Sequence, residues 1–245
     1  MKFALVNGEK SEATKGAKGL CPSCRAELIA KCGKVKINHW AHKGKRKCDL
    51  WWEKETEWHR AWKNEFPTEW QEVVHYDENG EKHRADVKTQ TDWVIEFQHS
   101  YLKPEERHSR NIFYNKLVWV VDGSRRKTDK KQFSKILKEE SRKIIENPPT
   151  IRVHFPEDCR LLIEWSNSNS FVFFDFNGSN ENENSLLWLL YPNMRSGNIY
   201  LSYITRSAFT QRSNNDGFDK LVRDVITPMR KEILPMYEAK HRPRV

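Results

Sequence analysis

Two carboxylates and an amide carry the densest chemistry in this chain. Asp86 sits in "RADV", Glu96 in "IEFQ", and Gln98 follows two places later. Both stretches alternate in the manner of strands, where every second side chain shares a face. Arg84, Asp86 and Lys88 therefore share one face and Ala85 and Val87 the other, while Glu96, Gln98 and Ser100 align against Ile95 and Phe97. If the two strands pair, Asp86 and Glu96 converge on one side of the sheet. Adjacent carboxylates repel unless a cation compensates them, and hard oxygen donors suit Mg²⁺ or Mn²⁺. Such an ion can activate water and stabilise a phosphoryl transition state. The same pattern also fits an amphipathic hairpin whose charged face meets water.

The preceding stretch, "WWEKETEWHRAWKNEF", reads as a helix that Pro67 closes. Glu55, His59 and Lys63 are spaced i, i+4, i+8 and form one stripe. Trp58 and Trp62 form a neighbouring stripe suited to burial. Packed by its tryptophans beside the sheet, this helix could present acid, imidazole and ammonium to the carboxylate face; otherwise the stripe is a solvated face with a favourable i, i+4 pair. A second helix opens at Pro104, and proline is well tolerated in a first turn. Its Arg107, Arg110 and Tyr114 either hold a nucleic-acid backbone or buttress the site.

These elements sit in the middle of three segments. Residues 1–50 are rich in Cys, His and Lys. Residues 51–150 read as helix, three strands ("WQEVVHY", 83–89, 93–99), helix, buried strand ("KLVWVVDG") and a long charged helix near 128–146. That order suits a mixed α/β sheet with a crossover into its last strand. Residues 151–245 carry strand-like runs at "IRVHF", "RLLIEW", "FVFFDF" and "NIYLSYIT" and end in an amphipathic helix near 217–232, which predicts a β-rich C-terminal domain. A partner surface or substrate specificity could reside there.

The first segment contains "CPSC", a turn that points two thiolates at one tetrahedral ion and needs two more ligands from a distant turn. Cys32, His39, His42 and Cys48 are the candidates. A hairpin centred on Gly33 would carry a second knuckle back over the first, and Cys32, on its ascending arm, is the poorest placed. His42 and Cys48, with five residues between them, resemble the second knuckle of the zinc ribbons in type IA topoisomerases. That resemblance implies Cys21, Cys24, His42 and Cys48 as zinc ligands, with His39 the alternative to His42. So small a basic segment has few apolar residues to fold on without a metal.

The chain's formal net charge is +9, from 43 Lys/Arg against 34 Asp/Glu. Residues 1–50 hold 12 Lys/Arg and 4 Asp/Glu, hence +8, nearly the whole excess. A basic module on a near-neutral remainder suggests a polyanion partner, here nucleic acid. Lys43, Lys45 and Arg46 would form a charged tip for phosphates. No run of 18 apolar residues exists, which argues against a membrane partner. Without a signal-peptide pattern the chain reads as cytoplasmic, where its five cysteines point to metal or free thiols before disulfides.

In order, "CPSC", "HWAH" and a later Cys, "ETEWHRAWK", "RADV", "IEFQHS", "RNIFY" and "LVWVVD" resemble the competence protein CoiA-like family, whose core is similar to the PD-(D/E)xK nuclease superfamily. The likeness covers roughly residues 20–123. It implies a restriction-endonuclease-like α-β-β-β-α-β core and a Mg²⁺-dependent DNA nuclease. Asp86 and Glu96 would hold the ion, Gln98 would stand in the superfamily's lysine position, and Glu55, His59 and Lys63 would match the family's helix. Arg110 and Tyr114 match its second helix, and with Arg84 and Lys88 they are the expected contacts to DNA in this core. Two departures stand out: Trp40 replaces a usual Phe, and Gln98 has no charge with which to lower the pKa of an attacking water. The rival expectations are a non-catalytic DNA-binding recombination factor on the same scaffold and an RNA nuclease.

Overall fold

The computed structural model describes residues 1–44, 48–51, 53–177, 184–191, 199–215, 217–231 and 233. It is mixed α/β, with two sheets. The smaller sheet is antiparallel and contains β1 (Phe3–Val6), β2 (Glu9–Glu12), β3 (Lys18–Leu20), β4 (Glu27–Lys31) and β5 (His39–His42), in the order β2-β1-β3-β4-β5. Asn7 and Gly8 join its first hairpin at φ 52° and 88°, the doubly positive pair that a tight two-residue hairpin requires. Its core is slight: Met1, Ala4, Ala13, Cys21, Leu28 and Trp40. The Trp40 indole anchors this core by donating to the Ser11 carbonyl at 2.8 Å. β4 and β5 form the hairpin expected around Gly33, pairing Leu28 with His42 and Lys31 with His39.

The larger sheet has nine strands. From the middle segment come α1 (Glu57–Asn64), β6 (Gln71–Tyr76), β7 (Lys82–Lys88), β8 (Val94–Gln98), α2 (Pro104–Phe113), β9 (Leu117–Asp122) and α3 (Asp129–Glu139), in the expected order. β10 (Ser141–Ile145), β11 (Thr150–Val153), α4 (Arg160–Trp165), β12 (Phe171–Asp175), β13 (Leu186–Leu190), β14 (Ile199–Thr205), α5 (Arg206–Asn215) and α6 (Gly217–Leu221) follow. The strand order is β10-β11-β14-β13-β12-β9-β8-β7-β6. β9 lies parallel to both β8 and β12, and all six of its residues are buried. A strand covered on both faces reads as an unbroken apolar run, which is why "LVWVVD" shows no alternation. Trp58, Trp62, Phe209 and Phe218 pack on one face with Val118 and Val120. Phe133, Leu161, Leu162 and Trp165 cover the other with Trp119 and Val121.

Three expectations change. Residues 128–146 are not one helix: α3 stops at Glu139, Glu140 caps it, and Ser141–Ile145 become β10 because Ser141, Arg142 and Lys143 pair with Val153, Arg152 and Ile151. "RLLIEW" is helical, burying Leu161, Leu162 and Trp165 on one side. Residues 151–245 do not form a sheet of their own. β12 adds directly to β9, so the sheet runs continuously across the division placed at residue 150. Among the described residues no helix is long and apolar enough to cross a membrane.

Candidate active site and metal cluster

β7 and β8 pair through Val87–Ile95 and Lys88–Val94, and the ladder opens at the next pair. Side chains fill the opening. The Asp86 amide donates to Glu96 Oε1 at 3.2 Å, and the Phe97 amide donates to Asp86 Oδ2 at 3.1 Å. Each carboxylate thus satisfies a backbone donor that strand pairing would otherwise have used. Asp86 and Glu96 converge as the alternation predicts.

Cations surround them. Arg110 donates from Nη1 to Glu96 Oε2 at 2.9 Å, and from Nη2 to Glu106 at 2.6 Å and the Trp51 carbonyl at 2.8 Å. Lys63, 3% exposed, places its Nζ 2.8 Å from Glu55, 3.1 Å from Glu72 and 3.7 Å from Asp86. α1 begins just after Glu55, with Thr56 as its N-cap. The Thr56 hydroxyl accepts from the His59 amide, and the Thr56 amide donates to His59 Nδ1, both at 3.3 Å. His59 is therefore built into the start of the helix, its Nε2 turned to Glu53 at 3.7 Å.

The electrostatics divide these acids. Burial pushes Glu55 and Glu72 up, but Lys63 with Arg60 at Glu55, and Lys63 with Arg84 at Glu72, together with the chain's amino terminus, more than offset it, leaving Glu55 below the ordinary carboxylate range and Glu72 well below it. Burial lowers Lys63, yet Glu72, Asp86 and Glu55 together raise it. Arg84 behaves likewise, raised against burial by Glu72, Asp49 and Asp86. Glu96 goes the other way: burial and then the Asp86 charge push it up to about 8, despite Arg110. Six carboxylates (Asp49, Glu53, Glu55, Glu72, Asp86, Glu96) and three cations (Lys63, Arg84, Arg110) line one cleft of about 40 Å³, room for a water molecule or a small ion.

Several of these acids do not stand out in the sequence. Glu72 opens β6 at φ 48° and accepts the Lys2 amide at 2.8 Å and the Phe3 amide at 3.0 Å, which docks the small sheet against the site. Glu53 accepts from the Gln98 amide nitrogen at 2.9 Å and the Ser100 amide at 2.7 Å. Asp49 accepts from the Arg84 amide at 2.9 Å and faces His83 Nδ1 at 2.9 Å. A glutamate at the head of "WQEVVHY" is the only sequence signal for Glu72, and it is faint.

A divalent ion such as Mg²⁺ takes hard oxygen donors and uncompensated negative charge. Asp86 and Glu96 offer hard oxygens, Glu96 is an acid whose charge is under-compensated, and the Gln98 side-chain oxygen is buried without a hydrogen-bond partner. These residues fit such an ion in chemistry and charge.

In the small sheet, Cys21, Cys24, His42 and Cys48 bring their ligating atoms within 4.8 Å of one another. Cys21 and Cys48 sulfurs stand 3.7 Å apart, and Cys24 Sγ is 3.3 Å from His42 Nε2. Sulfurs about 2.3 Å from a tetrahedral zinc are about 3.8 Å from each other, so this cluster could hold one. Burial and then Cys21 and Cys24 push the Cys48 thiol up to about 12, a repulsion that a cation would relieve. Cys32 instead faces the Ala13 carbonyl, and His39 the Ile37 carbonyl. Among the described residues this is the one group of three or more Cys, His or acidic residues whose ligating atoms lie close enough to share a metal.

The expected nucleic-acid contacts separate. Arg110 and Tyr114 are 5% and 2% exposed, so they buttress the site from inside and do not offer themselves to a backbone. Lys88 is held by Asp92 at 3.1 Å and His75 at 3.2 Å, and Arg84 lines the cleft. Lys43 stands on the surface beside Glu27. Lys45 and Arg46 lie outside the described residues. Between the β4–β5 loop and the start of α1 runs a cavity of about 330 Å³, lined by Val35, Lys36, Ile37, Lys54 and Glu55 among others.

Searches of the curated proteins and of the solved structures each returned no match. A family model described as "Competence protein CoiA, N-terminal domain" matches residues 6–50, the stretch that carries the cysteine cluster.

Proposed function

We propose that this chain is a metal-dependent nuclease that hydrolyses phosphodiester bonds in DNA, in competence-related processing, recombination or defence against phage. The opened β7–β8 ladder carries the reading. It holds two carboxylates side by side, one of them with its affinity for a proton raised to about 8, and this is where a divalent cation is the natural third charge. A bound Mg²⁺ or Mn²⁺ would supply Lewis acidity and a lowered pKa for the attacking water. Water adds to phosphorus and the bond from phosphorus to the leaving sugar oxygen breaks.

The chain's own residues do the positioning. Asp86 and Glu96 are the anionic pair; Arg110 holds Glu96 from behind, and Lys63 fixes Asp86 relative to Glu55 and Glu72. The ribbon, charged with Lys34, Lys36 and Lys43, would grip the polyanion. The cavity beside Lys36 and Lys54 shares Glu55 with the cleft, so on this reading it would give substrate a path toward it.

The test incubates supercoiled, linear and branched DNA, and RNA in parallel, with the purified protein and Mg²⁺ or Mn²⁺. Metal-dependent cleavage lost in Asp86→Ala and Glu96→Ala is the expected result; cleavage surviving either substitution removes the site assignment. One observation favours a second reading, a non-catalytic DNA-binding factor. The carboxylates are already met by Lys63 and Arg110, and Gln98 brings no charge. That reading gives salt-sensitive DNA binding, unchanged in Glu96→Ala, and no cleavage with any metal.

A further inference from the structure

Lys63 is buried, and three acids from three stretches of chain surround its ammonium. Glu55 precedes α1, Glu72 opens β6 and Asp86 lies on β7, with oxygens 2.8, 3.1 and 3.7 Å from Nζ. All four residues line the acidic cleft. Among the described residues these three acids are not spaced to share a metal ion as they stand; the atom they share is Nζ. A lysine ammonium is a compact point charge with three donors and no acceptor, so it meets carboxylate oxygens much as a small cation does.

Hydrolysis assisted by two metals places the ions about 3.5–4 Å apart, one on the attacking oxygen and one on the leaving oxygen. A carboxylate between two such ions can serve both. Asp86 has that position: its Oδ1 faces Lys63, and its Oδ2 accepts the amide of Phe97, the residue after Glu96. Its own amide donates to Glu96. The cleft thus has two sides. One carries Glu55 and Glu72 and is already occupied by an ammonium; the other carries Glu96, with Arg110 behind it. Clustered carboxylates without a charge of their own to answer them draw a hard divalent cation, and on the Lys63 side that demand is met from within.

We infer that the cleft is built for a single divalent ion, beside Asp86 and Glu96, and that the Lys63 ammonium holds the place of a second. The inference rests on the metal-dependent nuclease reading and deepens it by fixing the number of ions. The resulting site is asymmetric. An exchangeable Lewis acid would stand on the Glu96 side, and a tethered cation that cannot dissociate stands on the Glu55 side. Lys63 is a positioning residue: it takes up Glu55 and Glu72 and shares Asp86 with the ion.

The experiment counts Mn²⁺ bound to zinc-loaded protein by calorimetry, with the cysteine cluster already filled, and follows DNA cleavage and thermal unfolding against Mn²⁺ concentration on the same samples. The wild type is expected to bind about one Mn²⁺ per chain, lost in Asp86→Ala. Lys63→Ala removes the ammonium and its stem. That variant is expected to melt below the wild type without Mn²⁺ and to bind about two Mn²⁺ per chain. Saturating Mn²⁺ should then raise its melting temperature by more than it raises that of the wild type. Lys63→Gln, close in length and uncharged, repeats the count should Lys63→Ala fail to fold. A wild type that binds two Mn²⁺ in the cleft and cleaves overturns the inference and leaves the nuclease reading intact, as do folded Lys63 variants that stay at one. A wild type that neither binds Mn²⁺ nor cleaves overturns both the inference and the reading beneath it.

Discussion

The cysteine cluster and the carboxylate cleft are two answers to one problem, how to bring like charges together. In the small sheet four ligands converge around a common centre, and burial together with Cys21 and Cys24 pushes the Cys48 thiol up. In the large sheet the protein supplies cations of its own. Lys63 sits among Glu55, Glu72 and Asp86, and Arg110 against Glu96. The first arrangement could hold a metal at its centre; the second is compensated from within and leaves one acid, Glu96, in partial deficit. A structural site can depend wholly on an ion, whereas a catalytic one must remain folded while its ion and substrate come and go.

The largest effect that could break this contrast lies in the ribbon. Elemental analysis is expected to give about one zinc per chain, lost in Cys21→Ser; structural zinc contributes roughly 10–16 kcal/mol in zinc-finger peptides, so chelation should unfold the small sheet first. A metal-free protein with an intact small sheet by amide exchange would erase the distinction. Next come Asp86→Ala and Glu96→Ala, each expected to lower cleavage by at least about a hundredfold while leaving the zinc content unchanged. Lys63→Met probes the built-in cation: removing one partner of a buried ion cluster costs about 3–5 kcal/mol, read by denaturant melts, and pairing it with Glu72→Gln should recover part of that loss. A Lys63→Met protein as stable as the wild type would mean that the cleft is not internally compensated.

The smallest effect is a pH dependence at the edge of the site. His83 stacks on Trp51 and has Asp49 2.9 Å from Nδ1 and Glu81 2.8 Å from Nε2. Burial lowers its pKa, but the two carboxylates more than offset this and raise it above the ordinary 6.5. A group raised on folding stabilises fully below its unfolded pKa and loses that contribution as pH rises through the folded value. Stability should therefore fall with rising pH above about 6.5, and His83→Gln should flatten that slope at a cost of about 1–3 kcal/mol at low pH. An unchanged slope in the variant would assign the pH response elsewhere.

Local chemistry was legible in the sequence wherever spacing alone determines it. The Cys-x-x-Cys turn, the alternation around Asp86 and Glu96 and the i, i+4 pair of His59 and Lys63 each project from a single element, whereas Glu55, read as part of the same helical stripe, lies just before the helix cap. Glu53, Glu72 and Asp49 carry no such pattern, because their partners lie far away: Glu72 meets Lys2 and Phe3, about 70 residues earlier. Arg110 was readable as a helix residue that either holds a backbone or buttresses the site, and the position of Glu96 decides for the second. The segment from Asp129 to Ile145 has a charge pattern compatible with one helix. Pairing with β11 overrode it at Ser141, a tertiary choice that local propensity does not contain. "RLLIEW" is short enough that an apolar run cannot distinguish strand from helix.

The two backbone amides that Glu72 takes from the small sheet have an architectural consequence. The glutamate is a keystone: it joins β1 to Lys63, and Lys63 to Asp86. Removing the small sheet would strip Glu72 of both backbone donors and leave a buried acid with Lys63 as its remaining partner beside Asp86. The small sheet is therefore one wall of the acidic cleft, and a displacement of its first strand passes through Glu72 and Lys63 to Asp86.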